Sequence, residues 1–115
     1  MHAKKIAVVF YRGEVGAEPV REWLKSLEKP DRAAIGDDIR TVEFGWPVGM
    51  PVCRPLGRGL YEVRTRLRDR TARMLFAIVG NDMVLLHGFI KKSRKTPSVD
   101  LDLARARLNN YRRPL

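Results

Sequence analysis

Within Lys4–Tyr11 the residues from Ile6 onward are all apolar. Ile6, Val8 and Phe10 alternate with Ala7, Val9 and Tyr11, so both faces are apolar. The pattern predicts a strand covered on both sides, ended by Arg12-Gly13. The spacing then changes. Glu18-Pro19 opens a helix with proline at its first position. Val20, Trp23, Leu24 and Leu27 follow at i, i+3, i+4 and i+7, which makes one apolar stripe. Lys29-Pro30-Asp31 is the expected break. A second helix runs to about Phe44, with Ile35, Ile39 and Val42 on one face and Gly45 as its stop. Two short helices around a tight break predict a helical hairpin.

Residues 45–59 hold Gly45, Pro47, Gly49, Pro51, Pro55, Gly57 and Gly59, and read as a loop. Its apolar content (Trp46, Val48, Met50, Val52, Leu56) predicts that it packs on the domain. Three strands follow. Leu60–Leu67 places Tyr61, Val63, Thr65 and Leu67 on one face and Glu62, Arg64, Arg66 and Arg68 on the other. Asp69-Arg70 turns into Thr71–Val79, and Gly80-Asn81-Asp82 turns into Met83–Ile90. Thr96 is the expected N-cap and Pro97 the first residue of a last helix, whose stripe is Leu101, Ala104, Leu108 and Tyr111. The predicted order is β-α-α-β-β-β-α. That is an α+β fold with a mostly antiparallel four-stranded sheet, an N-terminal helical hairpin and a C-terminal helix. At 115 residues the chain is expected to form a single domain over 1–115.

Charge changes this picture. The net charge is +10. Residues 1–57 carry 9 basic and 8 acidic side chains, against 14 and 5 in residues 58–115. The excess therefore belongs to the second half and predicts a polyanion-binding face, with nucleic acid the commonest polyanion. No apolar run approaches the roughly 18–20 residues of a membrane helix. The N-terminus lacks the long apolar core of a signal peptide. Cys53 is the one cysteine, so no intrachain disulfide forms, which fits a reducing, cytoplasmic setting. With His2 and His87 it makes too few ligands for the usual zinc site, so no metal is expected.

Two elements carry candidate chemistry. On the polar face of the Leu60–Leu67 strand, Glu62, Arg64 and Arg66 stand roughly 6–7 Å apart. Arg73, just past the turn, comes close to Arg64 or Arg66 across the ladder. The second element is Lys91-Lys92-Ser93-Arg94-Lys95, beside the N-terminus of the last helix, itself favourable to anions. Cations this dense repel one another unless an anion lies between them, and a phosphodiester would serve. A solvated face in which Glu62 pairs with an arginine is the alternative. His87 shares a strand face with Met83, Leu85 and Phe89, and reads as a core or hydrogen-bonded histidine. Cys53, Tyr61, Tyr111, Trp23 and Trp46 read as packing residues.

Gly59-Leu60-Tyr61-Glu62-Val63-Arg64, then Arg73, then Leu86-His87-Gly88-Phe89-Ile90-Lys91-Lys92-Ser93-Arg94-Lys95-Thr96-Pro97 resemble the phage-derived HigB-like toxins of the RelE/ParE superfamily. These are toxins of type II toxin–antitoxin systems. The resemblance covers nearly the whole chain, and the last stretch is its most specific part. It implies a ribosome-dependent mRNA endonuclease (an mRNA interferase) that needs neither metal nor cofactor. The 2′-hydroxyl attacks the adjacent phosphate, leaving a 2′,3′-cyclic phosphate and a 5′-hydroxyl. Implied partners are mRNA in the ribosomal A site, ribosomal RNA and a cognate helix-turn-helix antitoxin, with no membrane.

By position, the resemblance makes Arg64, Arg73, Lys92 and Glu62 the catalytic candidates. Arg73 would clamp the scissile phosphate, and Glu62 would be either a general base or the partner that orients Arg64. Arg66, Arg68, Lys91, Arg94 and Lys95 would hold RNA and the ribosome. Where many superfamily members place a Tyr or His, this chain has Ser93, Thr96 and Ser98, so no general acid is assigned. Two other functions use the same features. One is a noncatalytic, ParE-like inhibitor of DNA gyrase, and the other a plain nucleic-acid-binding module.

Overall fold

The computed structural model describes residues 3–91 and 96–113. The elements are β1 (Ala7–Phe10), α1 (Pro19–Ser26), α2 (Lys29–Gly45), β2 (Cys53–Gly57), β3 (Leu60–Arg66), β4 (Thr71–Val79), β5 (Asp82–Lys91) and α3 (Ser98–Arg112). The strands form one five-stranded mixed sheet in the order β1-β5-β4-β3-β2. Neighbours are antiparallel except β1, which runs parallel to β5.

The α+β class agrees with the expectation, but the four-stranded count does not. The added strand is β2, within the segment read as a loop. Gly57 pairs with Leu60, leaving Arg58-Gly59 as a two-residue turn with both residues at positive φ, 54° and 82°. That is the backbone a tight hairpin requires. Pro55 is tolerated because β2 lies at the sheet edge. The break in the helical hairpin also moves. Leu27 and Glu28 separate α1 from α2, and Pro30 lies in the first turn of α2.

Helices cover both faces of the sheet. Val20 of α1 and Ile35, Ile39 and Val42 of α2 pack with Val63, Met74, Phe76, Met83 and Leu85. On the opposite face, Ala104 and Leu108 of α3 pack with Tyr11, Leu60, Leu75, Ala77, Val84 and Leu86. Each such fully buried aliphatic or aromatic side chain contributes about 2 kcal/mol of transfer free energy. Strand β1 is half-buried rather than covered on both faces, because it is the other edge of the sheet. Glu43 at the end of α2 accepts from Val8 N at 2.9 Å through Oε2, and its carbonyl accepts from Lys5 N and Ile6 N. Glu43 thereby occupies the outward backbone donors of Ile6 and Val8 at this edge.

A bulge in β5 decides which side chains share a face. Leu75 pairs with His87 and Phe76 with Leu85, so Leu86 faces no partner residue. Beyond the bulge the alternation is reversed. His87 therefore lies on the α3 face with Phe89, while Met83 and Leu85 lie against α1 and α2. The shared face expected for all four does not form.

Candidate RNA-binding site

Strand pairing assembles the basic face row by row. Arg64 stands directly opposite Arg73. Arg66 stands opposite Thr71, which pairs in turn with Lys91. Arg54 of β2 stands opposite Glu62, which pairs with Leu75. In an antiparallel sheet directly opposed residues share a face. One face thus carries Arg54, Glu62, Arg64, Arg66, Arg73 and Lys91.

Glu62 organises the inner part of this face. Its side chain is fully buried. Oε1 accepts from Arg64 Nε at 2.9 Å. Oε2 lies 3.5 Å from Arg73 Nη1 and accepts from the Thr96 hydroxyl at 2.5 Å. Arg73 Nη1 lies 3.4 Å from the same hydroxyl. Two opposed guanidinium groups repel one another, and a carboxylate between them reverses the sign of the interaction. A carboxylate this deeply buried also requires such partners.

The two arginines differ in access. Arg73 keeps 4% of its side-chain surface, whereas Arg64 keeps 29%. Arg64 is therefore placed to touch a ligand, and Arg73 lies beneath it. The burial arises because α3 begins over this end of the sheet. Thr96 does not cap α3 as expected. Pro97 is the N-cap residue, there is no side-chain cap bond, and the Thr96 hydroxyl turns inward to Glu62.

Farther along, Arg66, Arg68, Arg70 and Lys91 surround an open concavity of about 460 Å³, with Leu67, Asp69 and Thr71 completing its wall. Arg70 Nη2 donates to Asp31 Oδ2 at 2.9 Å, which ties this turn to the start of α2. Arg68 lies in the turn after β3, not on the strand face. Lys92, Arg94 and Lys95, together with Ser93, lie outside the described residues.

His87 Nε2 lies 2.6 Å from Asp100 Oδ1 in the first turn of α3, and its ring stacks on Phe89. This hydrogen-bonded role accords with the sequence reading. Cys53 is buried, and burial pushes its thiol up to about 11. It is therefore protonated and unreactive at neutral pH. Sequence reasoning missed Arg54, because its strand was read as loop, and the inward role of Thr96. The Gly57-Arg58-Gly59 turn was the available signal for the strand.

A family model described as "Phage derived protein Gp49-like (DUF891)" matches residues 22–109, which include every described residue of the basic face. No curated protein matches the chain. Among the described residues no helix is long and apolar enough to cross a membrane.

Proposed function

The chain belongs to the phage-derived Gp49-like family, a RelE/HigB-like toxin family, and from that premise we propose that it is the toxin of a type II toxin–antitoxin system that cleaves mRNA on the ribosome. The observation that carries this reading is the Arg64–Arg73 pair, opposed across β3 and β4 and joined through Glu62, with Arg66 and Lys91 in the next row. Such a face suits a polyanion that follows the strand direction.

In the proposed reaction the 2′-oxygen of a bound nucleotide attacks the adjacent phosphorus, and the bond to the 5′-oxygen breaks. The 2′ proton passes to a base, and the departing 5′-oxygen takes up a proton. The products are a 2′,3′-cyclic phosphate and a 5′-hydroxyl. Negative charge grows on the phosphoryl oxygens in the transition state, and a preorganised guanidinium stabilises it there. Arg64 is assigned that contact. Arg73 and Glu62 hold Arg64 in place, so Glu62 orients and does not act as the base. An arginine does not serve as the proton carrier, because it stays charged. Arg66, Arg68 and Lys91 hold flanking phosphates of mRNA or ribosomal RNA. Lys92, Arg94 and Lys95 would extend this contact, and a small helix-turn-helix antitoxin would block it.

The test is a translation extract given a defined mRNA, with and without ribosomes. Cleavage only where ribosomes translate supports the reading. Intact mRNA together with loss of gyrase supercoiling would replace it with the gyrase-inhibitor reading. Salt-sensitive RNA binding with neither effect would reduce it to a binding module.

A further inference from the structure

Thr96 touches the basic face just ahead of α3. It is 6% exposed and lies one residue before the N-cap of α3. A threonine there has two ordinary uses, capping the helix or facing solvent, and it serves neither. Its hydroxyl sits between Arg73 Nη1, at 3.4 Å, and Glu62 Oε2, at 2.5 Å. A hydroxyl can accept from one and donate to the other at once, which neither a methyl nor a carboxylate can do. The direct Arg73–Glu62 contact is longer, at 3.5 Å. Thr96 is thus the shortest polar contact on this half of the buried carboxylate.

The other half of the carboxylate serves Arg64. Carboxylate oxygens are coplanar, so fixing Oε2 fixes the direction in which Oε1 points. Oε1 is the atom that holds Arg64 Nε at 2.9 Å. We propose that Thr96 is a positioning residue for Arg64, acting through Glu62: the hydroxyl locks the carboxylate, and the locked carboxylate aims the one partly exposed guanidinium of the inner cluster. The catalytic consequence rests on the nuclease reading, but the geometric relay does not.

Two arms of one experiment separate them. In the first, ¹⁵N NMR of the full chain follows the Arg64 Nε–Hε signal, assigned with Arg64→Lys. The wild type gives a resolved signal protected from exchange. Thr96→Val moves it into the envelope of exposed arginines and speeds its exchange by about tenfold or more. Thr96→Ser restores it, because the hydroxyl is back. Thr96→Ala replaces the valine variant if that fails to fold, since it presses no methyl groups on the carboxylate.

In the second arm, mRNA cleavage is measured for the same proteins. The hydroxyl-less variant loses about 100-fold in kcat. KM stays within about twofold, and serine recovers the loss. A folded hydroxyl-less variant with an unchanged Arg64 signal overturns the relay. So does a serine variant that behaves like valine, or wild-type kcat without the hydroxyl. A wild type that cleaves nothing contradicts the nuclease reading instead, and the NMR arm then decides the relay by itself.

Discussion

Trp23 occupies the space in which a side chain on Gly88 would begin. A Cβ built on Gly88 would stand 2.3 Å from Cε3 and 2.4 Å from Cζ3 of the indole. The ring belongs to α1 and the glycine to β5, so the contact sets how closely the helical hairpin lies on the sheet. The glycine before Phe89-Ile90-Lys91 is therefore a packing requirement.

Gly88→Ala should destabilise the fold by about 3 kcal/mol, since a rigid ring must move to admit one methyl. Urea unfolding followed by Trp fluorescence measures it. Gly49→Ala is the control, with nothing within 4 Å of the added carbon, and should change stability little.

Glu62→Gln should cost about 3 kcal/mol, because it removes the charge that compensates buried Arg73. Chemical denaturation reports the loss. Glu62→Asp keeps the charge but shortens the reach to Arg64, so it should fold better than Glu62→Gln and still cleave poorly. Equal stability of Glu62→Gln and wild type would contradict the assigned burial of the pair.

Arg107 Nη1 donates at 2.8 Å to the carbonyl of Leu86, the residue the β5 bulge leaves unpaired. Arg107→Met keeps the aliphatic stem and removes the donor. It should cost about 1.5 kcal/mol. Amide exchange should rise selectively along residues 84–88, read by hydrogen exchange. Uniform exchange across the sheet would show that the bulge does not depend on Arg107.

The Cys53 thiol should resist alkylation at pH 8 in the native protein and react promptly in denaturant, because burial raises it from 9.0 to about 11. The sign of the linked stability follows. The neutral thiol is favoured in the folded state, so its contribution is whole below pH 9 and is lost as pH rises toward about 11. Cys53→Ala should remove that part of the alkaline slope in a pH series of urea midpoints.

Much of the fold was legible because most elements carried a clear local signal. The Leu60–Arg66 alternation, the tight turns and the helical stripes gave β3, β4, β5 and the three helices to within a few residues. What escaped lies in tertiary relationships. Strand β2 escaped because Pro55 and two glycines suggest a loop wherever the sheet edge is unknown. The face of His87 escaped because one unpaired residue, Leu86, reverses the alternation without leaving a pattern of its own. Period and turn length placed Arg73 near Arg64 or Arg66, and the strand register selects Arg64. The difference in access between Arg64 and Arg73 was not legible, since it depends on where α3 starts. Nor did periodicity distinguish Thr96 as a helix cap from Thr96 as a partner of Glu62, which lies 34 residues away.

The central claim is that Arg64 stabilises a phosphodiester as its 5′-oxygen departs. The most direct measurement maps mRNA ends from a translation extract, for wild type and Arg64→Ala at equal folded concentration. The account predicts fragments with 5′-hydroxyl and 2′,3′-cyclic phosphate ends for wild type. It predicts a rate lower by about 100-fold or more for Arg64→Ala, in line with removing one preorganised donor. Intact mRNA with wild type, or equal cleavage by both proteins, would contradict it.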